Sequence, residues 1–154
     1  MSLYFLDSSA LVKRYMTENG TNWVRSLVIP SSGNRIIISQ ITSIELVSTF
    51  ARKQRETNIS ERTLKAAMLL LERHLIREYI VVRLTSEVEQ QAKNLLTSHT
   101  LRAADSIQLA SAQIIQMQLN ASRAGSITFI CADSRLRSAA SQEGLATDDP
   151  GQYL

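Results

Sequence analysis

Short apolar runs rich in β-branched residues alternate with helical segments along this chain, and no other feature restricts its fold as strongly. Four of the runs predict buried strands over residues 3–6, 35–39, 79–84 and 126–132, and a short edge strand is predicted over 145–147. Strands that are apolar on both faces are typical of parallel sheets covered by helices on each side. We therefore predict an α/β fold, a three-layer α/β/α sandwich around a central, mainly parallel sheet.

Helical periodicity fills the intervals between these strands. It predicts helices over residues 8–15, 21–28, 42–55, 60–77, 86–98, 102–120 and 134–142, with the third and fourth forming a hairpin around Asn58. Two helices match capping boxes at their first residues, one from Thr42 to Glu45 and one from Ser86 to Glu89. Because no repeat or long linker interrupts the pattern, we expect a single domain over residues 1–154.

The composition excludes several classes of protein. A chain with 44% hydrophobic and 20% charged residues is typical of a globular protein, and it contains no apolar run long enough to span a membrane. Asp7 interrupts the first apolar run, so a signal peptide is not expected and the protein is predicted to be cytoplasmic. Cys131 is the single cysteine, and the histidines His74 and His99 are far apart, so neither a disulfide nor a zinc site is expected.

The charge balance points only weakly to a partner. The formal net charge is +3, and 13 of the 17 basic residues are arginine, the side chain best suited to bidentate phosphate contacts. An anionic partner would explain this excess. An even scatter of surface cations explains it equally well.

Two aspartates stand where a parallel sheet places its ligands. Asp7 and Asp133 are each the first charged residue after a predicted strand, and each is followed by serine. Ligands of open parallel sheets bind at the carboxyl ends of the strands, so both aspartates would face one crevice if their strands are neighbours. Aspartate at this position is equally suited to capping the helix that follows.

Asp105 interrupts an apolar helix face. Leu101, Leu109 and Ala112 share that face by i, i+4 and i+3 spacing. A carboxylate in such surroundings needs a partner, which could be Arg102 or, better, a metal ion.

Glu45 has two interpretations. It is the last residue of a capping box, which would explain it without any chemistry. It also belongs to a polar stripe that could face a crevice and contact phosphate, made of Thr42, Glu45, Ser48, Thr49 and Arg52.

A cluster of carboxylates would require a cation. Two unit charges about 4 Å apart repel by about 4 kcal/mol at an effective dielectric constant near 20. Oxygen ligands without histidine or cysteine select hard ions, so Mg²⁺ or Mn²⁺ is expected. Such a site can activate water for attack on a phosphodiester.

Four segments, taken in order, resemble the motifs of the PIN-domain ribonucleases, and in particular the VapC-type toxins of toxin–antitoxin pairs. They are residues 6–13 (LDSSALVK), 43–46 (SIEL), 101–110 (LRAADSIQLA) and 129–136 (FICADSRL). The resemblance implies a PIN-like fold. It also implies one or two Mg²⁺ or Mn²⁺ ions, which position a water for in-line attack on RNA and are bound by Asp7, Glu45, Asp105 and Asp133.

Further properties follow from the same resemblance. The products would carry 5′-phosphate and 3′-hydroxyl ends. Ser9 would hydrogen-bond the carboxylate cluster and Arg52 would contact substrate phosphate, and both are candidate substrate-binding residues. A homodimer and a small antitoxin, whose tail blocks the groove, are also implied.

The chain departs from the family pattern at two positions. Cys131 stands where threonine or serine is common, which is expected to leave Asp133 less well oriented, and Gln108 stands where histidine is frequent. A non-catalytic PIN-like module that binds RNA or antitoxin stays open as an alternative. A phosphorelay receiver fits less well, because Asp7 has no acidic neighbour and no aspartate ends the third predicted strand.

Overall fold

Five parallel strands form the central sheet of the computed structural model, which describes all of residues 1–154. The strands are β1 (Leu3–Leu6), β2 (Arg35–Ser39), β3 (Tyr79–Val82), β4 (Ile127–Ile130) and β5 (Ala146–Asp148). Their order is β3-β2-β1-β4-β5, so β1 is central. Phe5 of β1 lies opposite Ile37 of β2 and Phe129 of β4, which makes β1 and β4 neighbours.

Seven helices connect the strands. They are α1 (Ser8–Tyr15), α2 (Thr21–Val28), α3 (Thr42–Thr57), α4 (Glu61–Arg77), α5 (Ser86–Ser98), α6 (Ala103–Ser122) and α7 (Ser134–Gln142). Asn58, with φ of 54°, ends α3 in the left-handed conformation that reverses the chain into α4. None of the helices has both the length and the apolar character that a bilayer crossing requires.

Alternate residues of β1 to β4 point into two separate cores. Phe5, Ile37 and Phe129 pack against apolar residues of α5, α6 and α7. Leu6, Ile36 and Ile38 face the opposite side, where helices α1 to α4 cover the sheet. The predicted three-layer α/β/α sandwich with a parallel sheet is therefore confirmed.

The predicted ends of several elements were wrong by one or two residues. β3 ends at Val82 rather than at 84, β4 covers 127–130 rather than 126–132, β5 covers 146–148 rather than 145–147, and α3 continues to Thr57. In β3 and β4 the apolar run extends past the last residue of the strand. Hydropathy alone therefore could not place the ends.

Both predicted capping boxes were also wrong. Thr85, not Ser86, caps α5, and its Oγ1 accepts a hydrogen bond of 3.2 Å from the Val88 N–H. Thr42 is fully buried within α3, where its hydroxyl contacts a side chain of α6 instead of the helix terminus. The N-cap position of α3 is occupied by Ile41, which provides no side-chain cap.

A C-terminal segment closes over the start of α2. Gly20 has φ of +86°, and a Cβ at this position would lie 2.2 Å from the Pro150 carbonyl oxygen, so only glycine fits. Nearby, the Trp23 and Tyr153 rings stack with their centroids 4.1 Å apart.

Candidate active site

Asp7 lies at the carboxyl end of β1 and is 3% exposed. Its Oδ1 accepts a hydrogen bond of 3.0 Å from the Ala10 N–H, so it caps α1 as well as facing the edge of the sheet. Burial raises the pKa of Asp7 to about 6, although hydrogen bonds from Ser9, Cys131 and Ala10 oppose the shift. The negative charge of Glu45 adds to the increase. This carboxylate therefore lies in surroundings that favour a neighbouring cation.

Ser9 holds Asp7 and joins it to the end of β4. Its hydroxyl lies 2.7 Å from Asp7 Oδ1 and 3.0 Å from Oδ2. The same oxygen accepts a hydrogen bond of 2.9 Å from the Ala132 N–H. The expected hydrogen bond between Ser9 and the carboxylates is thus present, and the hydroxyl is committed within the chain.

Cys131 acts on Asp7 rather than on the carboxylate of Asp133. The buried thiol donates to Asp7 Oδ2 over 3.1 Å and to the backbone oxygen of Asp133 over 3.4 Å. Burial, followed by the charge of Asp7, raises the pKa of the thiol, so it remains protonated. The expectation that Cys131 would disturb the Asp133 carboxylate was wrong, because backbone groups of α7 hold that side chain.

Asp133 caps α7 and is exposed. Its Oδ1 accepts hydrogen bonds from the Arg135 N–H at 2.8 Å and the Leu136 N–H at 3.1 Å. No hydrogen bond within the chain uses Oδ2. One oxygen of this carboxylate is therefore free to bind a ligand.

Asp105 lies in the first turn of α6, partly buried at the rim of the core that α5, α6 and α7 form against the sheet. Leu109 and Ala112 on its face are fully buried, in agreement with the predicted apolar stripe. Burial raises the pKa of Asp105, and the charge of Asp133 raises it further. The ion pair considered between Asp105 and Arg102 does not form, although the positive charge of Arg102 partly offsets the shift.

Glu45 is held by α6, not by its own helix terminus. Gln108 Nε2 donates to Glu45 Oε1 over 2.7 Å and to Thr42 Oγ1 over 3.0 Å. Gln108 is 1% exposed and lies one helical turn after Asp105. The sequence identified Gln108 only as a departure from the family pattern. A glutamine next to the buried Leu109 could nevertheless have indicated a polar contact between two helices.

The structure groups the four predicted acids two by two. The negative charge of Glu45 contributes to the raised pKa of Asp7, and that of Asp133 contributes to the raised pKa of Asp105. Asp105 and Asp133 also line one cavity. No three histidine, cysteine or acidic side chains are close enough to hold one metal ion together. Arg52 lies outside both pairs, exposed on α3 and without a hydrogen bond or ion pair.

The donor chemistry of these pairs fits a hard divalent cation. The candidate ligands are all carboxylate oxygens, and burial together with a neighbouring negative charge raises the pKa of Asp7 and of Asp105. Mg²⁺ commonly binds through one or two carboxylates together with waters and substrate phosphates, so a pair is sufficient for such a site.

A family model described as the PIN domain matches residues 4–141. This chain belongs to the PIN-domain family. The match confirms the predicted family and excludes the receiver alternative. The PIN-domain chain is 32% identical over 115 residues to "Ribonuclease VapC45" of Mycobacterium tuberculosis (strain CDC 1551 / Oshkosh). That match covers 73% of this chain and 76% of the relative.

Solved structures share the fold of this PIN domain at low sequence identity. One belongs to a toxin-antitoxin complex from Klebsiella pneumoniae, with a TM-score of 0.62 and 14% identity, covering 96% of this chain and 97% of the other. Another is Mycobacterium tuberculosis VapC20, described as a Sarcin-Ricin loop cleaving toxin, with a TM-score of 0.61 and 18% identity. It covers 94% of this chain and 97% of the other, and at such identities both structures support the fold alone.

Proposed function

We propose that this PIN-domain chain is a metal-dependent endoribonuclease that hydrolyses RNA phosphodiester bonds, and that it is the toxin of a toxin–antitoxin pair. The main observation is that Asp7 and Asp133 follow the neighbouring strands β1 and β4, and that Asp133 lines one cavity with Asp105. The ribonuclease name of the curated relative supports the substrate class. The toxin–antitoxin neighbour supports the partner.

The four carboxylates Asp7, Glu45, Asp105 and Asp133 would hold Mg²⁺ or Mn²⁺. Such an ion supplies Lewis-acid stabilisation of the negative charge on the phosphate oxygens. The chain itself supplies fixed positions: Ser9 and Cys131 orient Asp7, and Gln108 orients Glu45. These contacts restrict the side-chain rotamers of Asp7 and Glu45, which would otherwise have to be ordered during the reaction. Water attack in line with the leaving 3′ oxygen would give products with 5′-phosphate and 3′-hydroxyl ends.

The remaining assignments are part of the same proposal. The chain would act as one nuclease domain over residues 1–154, as a homodimer in the cytoplasm, with a small antitoxin covering its groove. Ser9 would serve the substrate indirectly by holding Asp7. Arg52 is proposed to contact phosphate because it is exposed on α3, two turns beyond Glu45, with no partner in the chain.

Cleavage of labelled RNA tests the proposed activity. We expect the purified protein to cut RNA with Mg²⁺ or Mn²⁺, to stop when EDTA is added, and to leave ends that a phosphate-specific 5′ exonuclease can degrade. An Asp7→Asn variant purified in parallel excludes a contaminating nuclease, and circular dichroism checks its fold. RNA binding without cleavage under all metal conditions would instead support the non-catalytic alternative.

A further inference from the structure

A polar cleft leads away from the Asp105–Asp133 pair between α6 and α7. It has a volume of about 420 Å³ and is lined by Arg102, Asp105, Asp133, Ser134 and Arg135, without any hydrophobic residue. A second cavity of about 380 Å³ shares Arg135 with the first. The two cavities are therefore adjacent at Arg135, and we call the two together the path.

The second cavity continues this path along α7. One wall is the segment 98–101 before α6, and the other is formed by Arg135, Ser138 and Gln142. Three serine or threonine hydroxyls line it, so hydrogen-bond donors are available along its length. No tryptophan, tyrosine or phenylalanine lines either cavity, which makes contacts with a nucleic-acid backbone more suitable than base stacking.

The two arginines of the first cavity are free of partners. Arg102 and Arg135 are exposed, and neither side chain forms an ion pair or a hydrogen bond within the chain. Arg137, which lies two residues after Arg135 on α7, differs from both because its side chain has partners within the chain. Its guanidinium contacts Asp149 at 3.2 Å and the Cys131 carbonyl oxygen at 2.8 Å, so Arg137 is part of the fold.

The walls of the second cavity are tied to each other. His99 Nε2 lies 2.6 Å from Glu143 Oε1, and Gln113 Nε2 donates to Glu143 Oε2 over 3.1 Å. These contacts join the segment before α6 to the end of α7. The path is therefore preformed, which lowers the entropy cost of binding an extended ligand.

We infer that Arg102 and Arg135 begin a binding track for the backbone phosphates of a single-stranded RNA segment, which runs from the carboxylate pair along α7 towards Gln142. This inference rests on the proposed function and extends it by naming where the flanking nucleotides lie. Arginine is suited to bidentate phosphate contact, and partner-free arginines beside carboxylates would hold the RNA backbone against their repulsion. Arg52, proposed from the sequence, lies on α3 and does not line this track.

RNA binding without cleavage tests the track. Fluorescence anisotropy with a labelled single-stranded RNA in EDTA would be measured for the wild type, for Arg102→Gln, for Arg135→Gln and for the double variant. Arg62→Gln is the matched control, because Arg62 is an exposed arginine on α4 without a partner. We expect each track variant to raise Kd about fivefold at low salt, and the slope of log Kd against log salt to fall by about 0.7 per arginine. Arg135→Lys should recover part of the affinity, since it restores the charge.

Several outcomes would decide the question. A double variant with the Kd of Arg62→Gln, or a wild type that binds no RNA in EDTA, would overturn the track. A wild type that binds RNA through these arginines but never cleaves it would refute the nuclease and leave the track standing. Cleavage with an unchanged KM in the double variant would refute the track and leave the nuclease standing.

Discussion

Gln108 Nε2 donates a hydrogen bond of 2.7 Å to Glu45 Oε1, so the helix that carries Asp105 also holds the carboxylate of α3. The same nitrogen lies 3.0 Å from the hydroxyl of Thr42, which is fully buried. One amide thus ties Glu45 to the helix that carries Asp105. We regard Gln108 as a positioning residue for the proposed reaction.

Replacing Gln108 with leucine should therefore slow RNA cleavage. A hydrogen bond to a charged group contributes about 1.5–3 kcal/mol, which corresponds to a loss of about tenfold to a hundredfold in kcat if Glu45 loses its orientation. The Mn²⁺ concentration for half-maximal activity should rise as well. Gln108→His is the matched variant, because it keeps a donor, and it should retain most of the activity. Equal kinetics for Gln108→Leu and the wild type would contradict the role given to Gln108.

Cys131 should behave as a buried donor rather than as a reactive thiol. It is fully buried, so a disulfide reagent should label the native protein very slowly and the urea-unfolded protein at once. Cys131→Ser keeps a donor to Asp7 and should preserve activity, whereas Cys131→Ala removes it and should reduce the cleavage rate. Rapid native labelling, or equal activity of the two variants, would be inconsistent with the contact at 3.1 Å.

Glu18 should stabilise the fold through two lysines. It accepts hydrogen bonds from Lys13 at 3.0 Å and Lys53 at 2.8 Å, and Lys13 is 6% exposed. Burial alone would raise the pKa of Glu18, but the hydrogen bonds from these lysines outweigh it and lower the pKa. This contribution to stability is therefore present above the unfolded-state pKa and is lost as the pH falls through the lower folded value.

Urea denaturation at pH 7 measures the effect. Glu18→Gln leaves the Lys13 ammonium without its counter-charge and should lower the free energy of unfolding by about 2–3 kcal/mol. Glu61→Gln is the control, because its ion pair with Lys65 is exposed, and it should change stability by less than about 1 kcal/mol. A similar effect of both substitutions would argue against the importance of Glu18.

Protonation of His74 should lower the free energy of unfolding as the pH falls. Burial, followed by the charge of Arg14, lowers the pKa of His74 below its usual value, so the unfolded chain binds the proton first. Stability should then fall as the pH decreases from about 6.5, the usual histidine pKa, through the lower folded value. The raised pKa of Asp7 changes stability in the opposite direction over this range. The measurement is therefore the difference in the free energy of unfolding between the wild type and His74→Gln. A difference that does not change between pH 7.5 and pH 5 would contradict this assignment.

The fold could be predicted because its signal is local. The β-branched runs at 3–6 and 35–39 and the helical periodicity between them depend on neighbouring residues alone, and the structure contains those elements at the predicted positions. The placement of Asp7 and Asp133 at the carboxyl ends of their strands also follows from general rules of parallel sheets. Only the adjacency of β1 and β4 had to come from the structure.

The contacts between distant segments could not be predicted in the same way. Glu45 matched a capping box, but the partner that holds it is Gln108, 63 positions away. At Gly20 the carbonyl of Pro150 excludes a side chain, and these two residues lie at opposite ends of the sequence. Such contacts depend on which helices pack against each other. The hydrophobic periodicity of one helix contains no information about its packing partners.

Single-turnover RNA cleavage over a series of Mn²⁺ concentrations tests the central claim most directly. The variants are Asp7→Asn, Glu45→Gln, Asp105→Asn and Asp133→Asn, with Glu89→Gln on α5 as a control that removes the same charge from an exposed ion pair. We predict that each of the four variants lowers the maximal rate or raises the Mn²⁺ requirement, while Glu89→Gln matches the wild type. Wild-type rates and Mn²⁺ requirements in folded Asp7→Asn and Asp105→Asn proteins would contradict the claim that these carboxylates form the active site.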